Sequence, residues 1–170
     1  MIEAGSAAAS EGAAKPGGPG ITIDDLKAAP HLLPKVVELW GEHRATLGFF
    51  PDGAFRERAQ QGQILAALDE SATLMGFLTF RVSGGRASII HLCVRTTARG
   101  GGVARRLLAE FEQRLDDSVR GIQLRCRRDF DASRIWPRLG FTAVSESRGR
   151  SEKLSARRCR SSCLGGSCCT

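Results

Sequence analysis

Apolar residues along this chain recur at two spacings, and the places where one gives way to the other predict the elements. Ile21-Thr-Ile-Asp24 reads as a short first strand. From Pro30 the period lengthens: Leu33, Val36, Val37 and Trp40 follow the i, i+3, i+4, i+7 rule of a helix. Gly48-Phe-Phe-Pro51 interrupts it, and Asp52 is placed to cap a second short helix carrying Phe55 and Ala59 and ending near Gly62. Alternation then takes over. Ile64, Ala66 and Leu68 form one strand, and Asp69-Glu-Ser71 a turn. In the next strand Leu74, Gly76, Leu78, Phe80 and Val82 share a face, and Ser83-Gly84-Gly85 is a hairpin signal. Ile89, Ile90, Leu92 and Val94 make the short apolar run of a strand buried on both faces.

Beyond that run the period lengthens again, with Val103, Leu107, Phe111 and Leu115 at helical spacing and Ala104 and Leu108 beside them. Ile122, Leu124 and Cys126 alternate with Gln123, Arg125 and Arg127. A strand, helix, strand succession of this length implies a right-handed crossover and a parallel pair. Asp131 could cap a helix through Ile135, Trp136 and Leu139, stopped by Gly140, although Pro137 makes it short or irregular. Phe141-Thr-Ala-Val144 is a last strand. The predicted order is β-α-α-β-β-β-α-β-α-β: an α+β (α/β) fold with a mixed central sheet of about six strands flanked by helices.

The join between the central strand and its helix, Arg99-Gly100-Gly101-Gly102, carries the first chemical signal. Three residues without Cβ let the backbone approach a ligand closely. The first amides of a helix lack partners within it and carry roughly half a positive charge, so a strand, glycine turn and helix N-terminus hold an anion. No Gly-Lys-Ser/Thr follows, which excludes a P-loop. The dinucleotide fingerprint fails as well, because Arg105 stands where its third glycine belongs and no acidic residue closes a following strand. The stretch does resemble the acyl-coenzyme A signature of the GNAT (Gcn5-related) N-acetyltransferases, Arg/Gln-x-x-Gly-x-Gly/Ala. Here it is written Arg99, Gly102, Ala104, after a strand closed by Val94. Downstream, Asp129, Ala132 and Trp136-Pro-Arg-Leu-Gly140-Phe141 stand where that family commonly has Asn, Ala and Tyr-x-x-x-Gly-Phe.

The resemblance covers about residues 21–147 and implies an acyl-CoA N-acyltransferase-like fold. It implies an enzyme that moves an acetyl group from acetyl-CoA, with no metal, to a primary amine of a small molecule or a protein. The main chain of Leu92, Cys93 and Val94 would hold the pantetheine and the acyl carbonyl, provided the central strand splays from the fifth. Arg99, Gly100, Gly101, Gly102, Val103, Ala104 and Arg105 would hold the pyrophosphate, and Asp129 and Trp136 would touch the cofactor. Family members add a seventh strand between the fifth and sixth. Ser151–Ala156 offers only Leu154 and Ala156 as apolar residues, so that strand is expected to be missing or replaced, leaving the fifth as an open edge.

Transfer from a thioester to an amine also needs a base for the incoming ammonium and an acid for the leaving thiolate. His91 is the titratable residue of the central strand apart from Cys93, and its ordinary pKa near 6.5 suits a base. A hydrogen-bonded core histidine, or water relayed from a backbone carbonyl, are the alternatives. The family's acid is a tyrosine. Trp136 replaces it here, and indole donates a hydrogen bond without titrating. These departures keep two other readings open: an acyl-CoA-binding or regulatory module with weak turnover, and a basic nucleic-acid-binding domain using Arg125, Arg127 and Arg128.

Composition changes the picture in two places. The formal charge of +7 over 170 residues is concentrated after residue 147, where Arg148, Arg150, Lys153, Arg157, Arg158 and Arg160 face only Glu152. Four of the six cysteines, Cys159, Cys163, Cys168 and Cys169, crowd the same end, at spacings that match no zinc knuckle. The chain is therefore divided into a disordered leader (1–20), an acyltransferase domain (21–147) and a basic Cys/Ser/Arg tail expected to be disordered (148–170). Cys93 and Cys126 read as small hydrophobes of a reducing compartment. No run approaches the ~18 apolar residues of a membrane span, and there is no secretory signal, so a cytoplasmic protein without a membrane partner is expected.

Overall fold

A computed structural model describes residues 20–148 and 155–161, positions 147, 148 and 155–161 by their backbone. Seven strands form one sheet in the order β1-β2-β3-β4-β5-β7-β6. They are β1 (Thr22–Asp25), β2 (Ile64–Leu68), β3 (Leu74–Ser83), β4 (Arg86–Val94), β5 (Ile122–Arg127), β6 (Phe141–Arg148) and β7 (Ser155–Ser161). The helices are α1 (Leu33–Glu42), α2 (Arg44–Leu47), α3 (Asp52–Gln60), α4 (Val103–Gln113) and α5 (Ala132–Ile135). Pairing is antiparallel everywhere except between β4 and β5, the parallel pair that the α4 crossover requires.

Each face of the sheet has its own core. On one, α4 lays Val103, Leu107, Leu108 and Phe111 over Leu78, Phe80, Ala87, Ile89, Ile122 and Leu124, with Phe80 and Phe111 ring centroids 4.7 Å apart. On the other, Val36, Leu39 and Trp40 of α1 and Phe55 and Ala59 of α3 cover Ile64, Ala66, Leu74, Phe77 and Cys93. Burying a side chain of this size is worth about 2 kcal/mol, so the two layers hold the sheet between them.

Four expectations are corrected. The seventh strand is present: β7 pairs with β5 on one side (Arg125↔Arg158) and β6 on the other (Thr142↔Arg160). The tail is thus not disordered throughout, and β5 is not an edge. A strand between two others is held by backbone hydrogen bonds on both sides, which scanning for apolar residues does not register. Second, Leu74 does not share a face with Leu78 and Phe80. The β2–β3 register passes from Ala67↔Gly76 to Leu68↔Leu74, so Met75 is an extra residue and Leu74 turns to the α1–α3 core. Third, Asp52 is the first residue of α3 and makes no capping hydrogen bond; Pro51 precedes it in extended conformation. Fourth, the sheet has seven strands rather than about six. Pro137 acts as expected: α5 stops at Ile135 and a 3₁₀ turn, Trp136–Leu139, carries the chain to Gly140. The leader, 1–19, and residues 149–154 and 162–170 lie outside the described residues.

Candidate functional site

β4 and β5 start together and then part. Ala87↔Ile122, Ser88↔Gln123 and Ile89↔Leu124 are their only paired positions, although β4 runs on to Val94 and β5 to Arg127. The cause lies on the other edge of β4. Against β3 the register passes from Phe80↔Ile89 to Thr79↔His91, so Ile90 is an extra residue. Such a bulge bends its strand and increases the local twist, and it falls at the rung where the parallel ladder ends. Beyond it the β5-facing main-chain groups of Leu92, Cys93 and Val94 have no ladder partner, as a splayed strand requires.

The bulge also resets which side chains face which core. Ile89 points to the α4 layer. After Ile90, Leu92 and Val94 pack there too, whereas His91 and Cys93 point to the α1–α3 layer.

At the end of the fork stands the glycine turn. Thr96–Ala98 form a 3₁₀ turn, and Gly102 caps α4 at φ +79°, a conformation that only glycine adopts without strain. Among the described residues, the N–H groups of Gly100, Gly102, Val103, Ala104 and Arg105 donate to no carbonyl or side chain, while Arg106 N–H begins the helical ladder by donating to Gly102 O at 3.1 Å. Gly101 departs from expectation: its N–H donates to Ala98 O at 3.4 Å and tightens the turn. Arg99 braces the turn as well, its Nε donating to Val94 O at 3.3 Å. Arg105 is exposed on the first turn of α4. Free amides, a helix dipole and an arginine are together the groups that suit a phosphate.

Sequence reasoning passed over one residue that makes this geometry possible. A Cβ on Gly76 would lie 2.6 Å from Cys93 O and 3.3 Å from Val103 Cγ1. Glycine there lets β3, β4 and the first turn of α4 meet, and an isolated glycine inside a strand pattern is a signal of such an approach.

His91 is 4% exposed and boxed by rings. Phe50 meets it edge-on at 4.9 Å, Phe55 lies stacked at 6.2 Å, and Phe77 stands at 6.4 Å. Burial pushes its pKa down to about 4, against a hydrogen bond to the Leu47 backbone that works the other way. Its Nδ1 has no hydrogen-bond partner, and neither does the fully buried Oγ1 of Thr79, directly across the ladder. A base with a pKa near 6.5 is therefore not what the fold provides: His91 is a neutral core side chain. Trp136 is likewise a core side chain. It is 9% exposed and packs edge-on against Phe141 at 5.2 Å, as part of the α4-side core. Cys93 is a neutral thiol, its pKa raised to about 11 by burial, with Arg99 and Arg95 pulling down and Glu42 pushing up.

Asp129 is held by Arg127, whose Nη2 and Nε donate to its carboxylate at 2.6 and 3.1 Å; this hydrogen bonding keeps the carboxyl below its usual range. Arg127 also lies over the Phe130 ring, 4.0 Å from its centre. Arg128 reaches Glu146 at 3.4 Å, while Arg125 is exposed. No set of three or more His, Cys, Asp or Glu side chains among the described residues could hold a metal ion.

A parallel fork beside a bulged strand, feeding a helix with bare N-terminal amides, defines an acyl-CoA-binding transferase fold. The comparisons agree. The family model for the acetyltransferase (GNAT) domain matches residues 38–156, and the chain belongs to that family. It is an acyltransferase of the acetyltransferase type. Among solved structures it is similar to Ard1 from Thermoplasma volcanium, at 16% identity and a TM-score of 0.70 over 86% of this chain and 99% of that one. It is similar to the ribosomal-protein-S18-alanine N-acetyltransferase from Escherichia coli, at 19% identity and a TM-score of 0.65 over 83% and 92%. NAA60 of Arabidopsis thaliana, solved with a bisubstrate analogue, gives 20% identity and a TM-score of 0.62 over 86% and 99%. At these identities the likeness is one of fold. No curated protein matches the sequence.

Proposed function

We propose that this chain transfers the acetyl group of acetyl-CoA to a primary amine of a peptide or protein, using main-chain groups of the fork and no side-chain base or acid. The pyrophosphate sits on the N–H groups of Gly100 and Gly102 to Arg105, with Arg105 adding charge. The pantetheine follows the unpaired edge of β4 at Leu92, Cys93 and Val94. The thioester carbonyl takes a hydrogen bond from that edge, which strengthens as its oxygen becomes negative in the tetrahedral intermediate. The amine nitrogen bonds to the carbonyl carbon, the carbon–sulfur bond breaks, and the pair of electrons leaves on the CoA sulfur.

With His91 sealed at a pKa of about 4 and Trp136 in the core, the ammonium proton goes to water and the thiolate is protonated from solvent. The amine comes from the face opposite α4: α1 and α3 pack there on residues of β2, β3 and β4, while Arg125 on β5 stays exposed beside the fork. A peptide or protein acceptor is supported by the structural neighbours named for such substrates, an S18-alanine N-acetyltransferase and a NatC complex solved with a Gag peptide and CoA. Nucleic acid is disfavoured, since Arg127 and Arg128 already face Asp129 and Glu146. A cytoplasmic setting accords with Cys93 as a buried free thiol; among the described residues no helix is long and apolar enough to cross a membrane.

The observation that carries the reading is the set of unengaged amides where the fork opens. Its test is thermal unfolding with and without acetyl-CoA, on the chain and on Gly102→Glu, followed by CoA release with a panel of amines. The chain is stabilised and the variant is not. Equal shifts overturn the phosphate site, and binding without CoA release on any amine overturns turnover.

A further inference from the structure

The face of the fork from which the amine arrives carries one arginine that the fold leaves uncommitted. Arg125 is the first residue of β5 beyond its last rung with β4, Ile89↔Leu124. Leu124 and Cys126 pack toward the α4 layer, so alternation turns Arg125 to the opposite, open face. Other arginines around the fork are engaged: Arg95 with Glu42 at 3.5 Å, Arg127 with Asp129, and Arg128 with Glu146. Arg125 has no ion pair or hydrogen bond among the described residues, and the ladder sets two more arginine positions in the same rows, Arg158 opposite it and Arg160 opposite Gln123.

Resting on the acetyltransferase reading above, we propose that Arg125 selects the acceptor: a peptide whose amine is followed at once by a carboxylate side chain, which Arg125 binds while the amine enters the fork. A guanidinium offers a carboxylate two parallel N–H donors, and this geometry distinguishes Glu from Gln at equal size.

Three peptides that differ only in Glu, Gln or Lys at the second position test this, with the full chain and acetyl-CoA. The expected order of kcat/KM is Glu, Gln, Lys, with about tenfold between the first two, carried by KM and shrinking as salt is raised. In Arg125→Gln the Glu advantage falls to within about twofold; in Arg125→Lys part of it survives; in Arg125→Glu the Lys peptide becomes the better substrate. An unchanged acetyl-CoA thermal shift in each variant shows that it has folded. Equal kcat/KM on the three peptides overturns the proposal, as does an undiminished Glu preference in Arg125→Gln. So does a chain that releases CoA only with small amines and with none of the peptides. Loss of salt-sensitive binding to single-stranded RNA in Arg125→Gln, with peptide order unchanged, assigns the arginine to nucleic acid and overturns it too. Failure of the native chain to bind acetyl-CoA sinks the underlying reading instead.

Discussion

The two ends of the β4–β5 fork are built from different material. Where α4 begins, the polar groups are backbone amides without partners, set out by Gly100 and Gly102, both exposed. At the level of His91, the groups that sequence would choose for chemistry are side chains sealed in apolar packing. One end offers uncharged donors whose position the helix fixes; the other buries titratable atoms where a charge costs free energy. The lesson is that a residue type suited to catalysis is a weaker guide than whether its polar atoms reach the ligand. On the reading proposed above, binding and polarisation fall to the main chain, while the two side chains nominated for proton transfer lie in the cores.

Substitutions at each end test that division, and the largest effect is expected at a nominated acid. Trp136→Ala empties a core site beside Phe141 and should cost about 4 kcal/mol in denaturant unfolding, with Trp136→Phe costing far less. If Trp136 protonates the thiolate instead, Trp136→Phe abolishes kcat while leaving stability near normal. At the backbone end, Gly102→Glu should weaken acetyl-CoA binding about 100-fold by calorimetry, through strain at φ +79° and a carboxylate near the phosphates. Gly102→Ala brings the strain alone and should weaken it about tenfold. Equal affinities in all three would show that the amides are not the seat.

For His91 the sign follows from a folded pKa of about 4, below the ordinary 6.5. Folding then holds the ring neutral while the unfolded chain takes up a proton. Stability is full above about pH 6.5 and falls as pH drops toward 4, by up to about 3 kcal/mol. His91→Phe should flatten that part of the stability–pH curve and leave the acidic limb of the rate profile in place. A limb that vanishes with the histidine would restore it as the base. The smallest effect is Gly76→Ala, whose methyl would press on Cys93 O: about 2 kcal/mol of stability, with weaker acetyl-CoA binding as β4 shifts. Stability unchanged at this position would mean that the close approach of β3 to β4 is not needed.

Much of the scaffold was legible. Helical spacing from Val103 to Phe111 marked the buried face of α4, and the three glycines marked the turn that leads into it. The hairpin at Gly84–Gly85 falls between β3 and β4 as the pattern predicts. The misses share a cause. Leu74 was assigned to a face by strict alternation and His91 nominated as a base by residue type, and single extra residues at Met75 and Ile90 set where both side chains point. β7 was missed because an inserted strand is held by its two neighbours, whatever its own apolar count.

The local sequence by itself determined the elements from β1 to β6 apart from α2, the buried face of each longer helix and the glycine turn that precedes α4. These depend on periodicity and on the φ that glycine permits, both of which lie within a few residues of chain. Only the tertiary structure decided that β4 bulges at Ile90, that the fork opens past Ile89, and that His91 and Trp136 are walled into the two cores. Register between strands is set by backbone pairing across dozens of residues, and a shift of one position turns every later side chain to the other face.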